Sequence, residues 1–163
     1  MKRACHNIVP MLLNDTNVLS KGGFLDVLMV MDGQGGGIGR AIIRRLREAF
    51  GEEVEILALG TNSVATSQMM KAGANRGATG ENAIVTTAPM VDIIIGPLAI
   101  IMANAMMGEV TAKMTEAISS SKALKVLIPL TQERIKIVGV SDEPLPHLID
   151  QIIETIKGGE IDV

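Results

Sequence analysis

Apolar and polar positions along this chain follow two alternating rhythms. Residues 24–32, FLDVLMVMD, form a near-continuous apolar run, the pattern of a central parallel strand covered on both faces. After a glycine cluster, IGRAIIRRLREAF (38–50) changes to helical spacing. There Ile38, Ile42, Leu46 and Ala49 share one side, with Arg40, Arg44, Arg47 and Glu48 on or near the other. The arginines at 40, 44, 45 and 47, offset by Glu48, Glu52, Glu53 and Glu55, read as a solvated face. VEILALG (54–60) is a second strand. NSVATSQMMKAG (62–73) is a second helix, capped by Asn62 or Ser63 and stopped by Gly73. ANRGATG (74–80) leaves room for a short third strand, and ENAIVTTA (81–88) reads as a short helix behind Thr79 or Gly80.

The same alternation continues. VDIIIG (91–96) is a fourth strand, broken by Gly96-Pro97, and LAIIMANAMM (98–107) reads as a helix apolar almost all round. VTAKMTEAISSS (110–121) is a helix, LKVLIPL (124–130) and IKIVGV (135–140) are strands, and PLPHLIDQIIETIKGG (144–159) is the last helix. Strands alternating with helices at this spacing imply a mostly parallel sheet with helices on both faces. The expected fold is α/β, a three-layer, Rossmann-like doubly wound arrangement with strand order 3-2-1-4-5 and an extra edge strand. Residues 1–23 are expected to be an N-terminal tail, and 24–163 a single nucleotide-binding domain.

Composition narrows the function classes. Hydrophobic residues make up 47% of the 163, yet there are two Phe, no Tyr and no Trp, so the core is aliphatic and drawn partly from eleven Met. A net charge of −3, with no aromatic stacking platforms, argues against nucleic acid. Cys5 is the single cysteine and His6 and His147 lack partners at metal-ligand spacing, so neither a disulfide nor a metal site is expected. The basic start interrupted by Pro10 is a poor signal peptide, and the uncharged stretch 93–108 falls short of the ~20 residues a membrane span needs. A cytoplasmic location follows as the expectation, and the apolar 98–107 segment suggests a homo-oligomer.

The candidate chemistry begins at MDGQGGGIGRAI (31–42), where five of the seven residues 33–39 are glycine. Glycine costs folding entropy, so the cluster needs a reason. Between the first strand and the first helix, it lies where open parallel sheets bind ligands, and a helix N-terminus presents free N–H groups and partial positive charge to phosphate. The spacing fits neither G-x-G-x-x-G, since Ile38 holds the sixth position, nor the P-loop, since no Lys-Ser/Thr pair follows.

The spacing resembles the T-G-x-x-x-G-I-G loop of short-chain dehydrogenases/reductases, which implies dinucleotide binding through Gly33, Gly37, Ile38 and Gly39. That family's catalytic Tyr-x-x-x-Lys is excluded, because the chain has no tyrosine. No acid ends the second strand to grip a ribose; Gly60, Thr61 and Asn62 stand there, and Asn62 either bonds a ribose or caps the helix. From about 25 to 157 the chain resembles a small, uncharacterised bacterial family of short Rossmann-like proteins known as a domain of unknown function. DGQGGGIG, ALGTN, KAGANRGATGENAI, DIIIGP and MGEVT carry that resemblance, which implies the fold and no particular activity.

Around the loop, the candidate cofactor-binding residues are Gly33, Gln34, Gly35, Gly36, Gly37, Ile38, Gly39, Thr61, Asn62, Thr79, Gly96 and Pro97, with Arg40 able to reach a phosphate. NAD or NADP is the foremost ligand, other nucleotides being possible. Asp32, Glu81 and Glu109 are the candidate acid/base groups, and Asp32 is equally suited to accepting the turn's own amides. Strand ends at one edge of a parallel sheet converge, so Thr79, Glu81 and Gly96-Pro97 are expected to face the loop's crevice. Three functions stay open: a nucleotide-binding protein, a small enzyme on a phosphorylated metabolite, and a non-catalytic sensing or assembly module.

Overall fold

A computed structural model describes residues 26–130 and 133–158. Five strands form one all-parallel sheet: β1 (Asp26–Asp32), β2 (Val54–Gly60), β3 (Arg76–Thr79), β4 (Ile93–Pro97) and β5 (Leu124–Ile128), in the order β3-β2-β1-β4-β5. Their connections carry the helices α1 (Gly37–Phe50), α2 (Ser63–Lys71), α3 (Glu81–Thr87) and α4 (Ala112–Ser120), while α5 (Leu145–Gly158) follows β5. The expected doubly wound α/β fold is therefore the observed one.

Alternation along β1 divides the interior in two. Leu28 and Val30 pack with Ile42, Ile43 and Leu46 of α1, Met69 of α2 and Ile152 of α5. Met29 and Met31 face the other way, onto Ile84 of α3 and Met114 and Ile118 of α4. All four of these β1 side chains are fully buried, as expected of a strand with helices on both sides. The buried stripe of α1 is Gly39, Ile42, Ile43, Leu46 and Phe50. It is rotated from the predicted one, because α1 packs against α2 and α5 as well as against the sheet.

Local chemistry explains the boundaries. The Asn62 side chain accepts the Ala65 N–H and caps α2, and the Thr111 hydroxyl accepts the Met114 N–H and caps α4, each satisfying an orphan donor of a first turn. Arg47, read from sequence as solvated, is mostly covered, with a side chain 14% exposed. Its guanidinium donates to the carbonyls of Gly51, Val54 and Gly73 and to Asn75 Oδ1. It thereby ties the end of α1 to the start of β2 and to the turn before β3.

Three elements differ from expectation. IKIVGV forms no strand: Ile135 N–H bonds Glu133 O in a tight turn, Gly139 has φ +87°, and Val138 is 94% exposed. The alternation in Ile135-Lys136-Ile137 is too short to hold a sheet edge once the left-handed glycine bends the chain. LAIIMANAMM is likewise not an α-helix. It makes one 3₁₀ turn, Leu98–Ile101, then winds through Asn104, Met106 and Met107, all at positive φ. Its apolar residues divide between the core (Ala99, Ile100, Ala105) and solvent (Met107, 95% exposed). Finally, β4 runs through Gly96-Pro97 instead of breaking there. A Cβ on Gly96 would lie 2.5 Å from Met31 O, so glycine lets the two strands pass closely. The tail (1–23) lies outside the described residues.

Candidate functional site

The turn between β1 and α1 sits where the strand order reverses, with β2 on one side of β1 and β4 on the other. Asp32 closes β1 at 4% exposure and turns its carboxylate back under the glycines. Oδ1 accepts Gly33 N–H at 2.8 Å and Oδ2 accepts Gly39 N–H at 2.7 Å. Burial pushes the Asp32 carboxyl above its ordinary range; amides of Gly39, Gly33 and Ile38 oppose that shift, and the nearby Glu109 charge adds to it. Asp32 is thus a hydrogen-bonded keystone of the turn.

Glu109 holds the turn from above. Its Oε2 accepts Gln34 N–H at 2.8 Å, Asn62 Nδ2 at 2.9 Å and the Thr61 hydroxyl. Burial acts to raise this carboxyl, but the bonds from Thr61, Gln34 and Asn62 outweigh it and hold Glu109 below its ordinary range. Asn62 Nδ2 also donates to Gln34 O at 2.9 Å, so both sides of a residue at φ +49° are tied down.

The five glycines then separate into two groups. A Cβ on Gly33 would lie 2.5 Å from Thr61 Oγ1 and 2.6 Å from Met106 Sδ. One on Gly36 would lie 2.6 Å from Ala65 Cα, at a φ of +69°, and one on Gly39 would lie 2.5 Å from Met69 Sδ. At these three a side chain would force its neighbours to shift, and at Gly36 the neighbour is backbone. Gly35 and Gly37 are exposed, and a Cβ on either would meet nothing within 4 Å. Their N–H groups engage no partner among the described residues, whereas Gly33, Gln34, Gly36 and Gly39 spend theirs within the protein.

Beside the turn opens a crevice of about 300 Å³, lined by Asp32, Gln34 and Ile38 from the turn, Pro97 and Ala99 after β4, Met106, Leu130 and Glu133. Met106 N–H donates to Glu133 Oε1 at 3.0 Å across it. The predicted residues do not all converge here. Thr79 Oγ1 pairs with Thr66 Oγ1 at 2.6 Å, and Glu81 turns to α4, where Thr111 and then Lys113 hold its carboxyl below the ordinary range. Neither lines the crevice, because both stand at the end of the edge strand β3, which β2 separates from β1. Of the acid/base candidates, Asp32 and Glu109 meet at Gly33 and Glu81 stands apart. Pro97 lines the crevice, Gly96 is buried between strands, and Arg40 is exposed. Among the described residues no group of three or more His, Cys, Asp or Glu is placed to hold a metal, and no helix is long and apolar enough to cross a membrane.

Among solved structures, the chain is similar to a universal stress protein in complex with cAMP (16% identity, TM-score 0.39, covering 64% of this chain and 96% of that one). It is also similar to a dodecameric FMN-dependent Ubix-like decarboxylase from Escherichia coli O157:H7 (13% identity, TM-score 0.40, covering 81% and 91%). No curated protein matches it. The profile of one family spans nearly all the described residues, matching 27–160, and the chain belongs to that family, described as domain of unknown function (DUF3842).

Proposed function

We propose that this protein binds a nucleotide or dinucleotide, NAD or NADP foremost, with a phosphate on the turn before α1 and the remainder in the crevice beside it. One observation carries this reading: Gly35 and Gly37 have open space and unspent N–H groups where no packing demands glycine. They lie between Gln34 and Ile38, which line the crevice, at the positive end of a fourteen-residue helix. The carboxylates nearby are engaged away from the open amides: both Asp32 oxygens accept turn N–H groups, and Glu109 Oε2 accepts three donors. Arg40 stands exposed one turn into α1 to add positive charge. Apolar Ile38, Pro97, Ala99 and Met106 suit the flat face of a base or nicotinamide ring.

The test is calorimetric titration of the folded chain with NAD, NADP, FAD, ATP, GTP and the monophosphates, alongside a Gly37→Glu variant. An acid in the first turn favours the helix but repels phosphate. Binding by the wild-type chain that weakens about tenfold or more in the variant supports the reading. Silence from every nucleotide sinks it.

A further inference from the structure

Taking that nucleotide reading as its basis, we propose that Glu109 is the residue that recognises a vicinal diol, the ribose of the ligand, in place of the acid that β2 lacks. In dinucleotide-binding sheets an acid near the end of the second strand accepts the ribose hydroxyls. Here β2 ends in Gly60 and is followed by Thr61 and Asn62, which carry no charge. Glu109 reaches the same corner from the loop before α4 and bonds both Thr61 and Asn62.

The chemistry of its two oxygens differs. Oε2 takes all three donors, from Gln34, Thr61 and Asn62. Oε1 has no hydrogen-bond partner among the described residues, and the side chain is half-buried, so this oxygen remains to accept a bond from outside. An ionised carboxylate only accepts. It repels phosphate and attracts hydroxyl hydrogens, so the corner offers two neighbouring subsites of opposite preference. The N–H groups of Gly35 and Gly37 take the anion, and Glu109 Oε1 takes the donors of a sugar. Neighbouring groups enforce this division: Gln34 N–H is spent on Glu109, which leaves the next amide, Gly35, as the first one open to phosphate.

Titration of the full chain with ADP and GDP, each against its 2′,3′-dideoxy counterpart, tests the assignment in the wild type and in Glu109→Gln. A charge-assisted hydrogen bond predicts a preference of about ten- to hundredfold for the ribonucleotide in the wild type. That preference falls to within about twofold in Glu109→Gln; the ratio is taken within each protein, so any change in phosphate binding by the variant cancels from it. A purely structural Glu109 would lower the melting temperature of the variant and leave the ratio intact, which overturns the assignment. Equal binding of both sugars by the wild type also overturns it, with the phosphate site standing. No binding of any nucleotide removes both proposals.

Discussion

Asp32 and Gly39 lie seven residues apart and are joined by a 2.7 Å hydrogen bond from the Gly39 N–H to Asp32 Oδ2. The other oxygen, Oδ1, accepts the Gly33 N–H, so one buried carboxylate closes both ends of the turn. Asp32→Asn replaces an acceptor by an amide N–H₂ that faces donors. Leaving a buried N–H without an acceptor costs about 1–3 kcal/mol. The variant is therefore expected to lose about 3 kcal/mol of unfolding free energy in urea denaturation, the sum of one orphaned amide and one donor–donor clash. A loss below about 0.5 kcal/mol would mean that the turn closes without this carboxylate.

The division among the glycines gives opposite signs. Gly36→Ala forces a side chain into the left-handed region and against Ala65, so it is expected to cost more than the 1–2 kcal/mol of that backbone conformation alone. Gly35→Ala and Gly37→Ala meet open space with no positive φ. They are expected to be neutral or to stabilise the unliganded protein by about 0.4–1 kcal/mol through the unfolded chain. Thermal melts of the three variants side by side decide the matter.

Acid is expected to act on the two carboxylates in opposite directions. Glu109 is held below its ordinary value of 4.5, so its stabilisation is complete above that pH and fades as pH falls through the lower folded value. Asp32 is raised above 3.8, so its ionised form costs stability at neutral pH, and that cost disappears on protonation. The stability gap between wild type and Glu109→Gln should be constant above pH about 5 and narrow below pH about 4.5. The gap between wild type and Asp32→Asn should instead change above pH 3.8, up to the raised Asp32 value. Melts from pH 3 to pH 7 read both; a gap for Glu109→Gln that widens in acid would contradict the hydrogen bonding described.

Arg47→Lys keeps the charge but cannot reach three carbonyls and the Asn75 oxygen with a single ammonium. A loss of about 2 kcal/mol is expected, equal to one or two hydrogen bonds at a largely covered charged group. An unchanged urea midpoint would show the carbonyls to be served by water.

Much of the fold was legible because it is written locally. The apolar run of β1, the cap Asn62, the stop at Gly73 and the helical spacing of α1 and α5 each depend on neighbours a few positions away. The covered position of Arg47, the bonds by which the candidate Glu109 holds the turn and the winding of 98–107 were not legible, because they depend on the tertiary structure. Nothing near Glu109 announces that Gln34, 75 positions earlier, donates to it. The glycine cluster lies between these cases. Its count and position mark the turn, but the distinction between Gly36 and Gly37 depends on Ala65, which only the tertiary structure brings against one of them. Hydrophobic content misled at 98–107, where Asn104, Met106 and Met107 take left-handed conformations that end any helix.

Because β1 is paired on both sides, its registry with β4 (Leu28 opposite Ile93) waits for every residue between them to close a long excursion. Such non-local pairing is slow compared with helix formation. During synthesis, a nascent chain that has emerged only to about residue 100 can own β1, α1 and β2 while still lacking Glu109, so the glycine turn is finished from a part of the polypeptide made long after it.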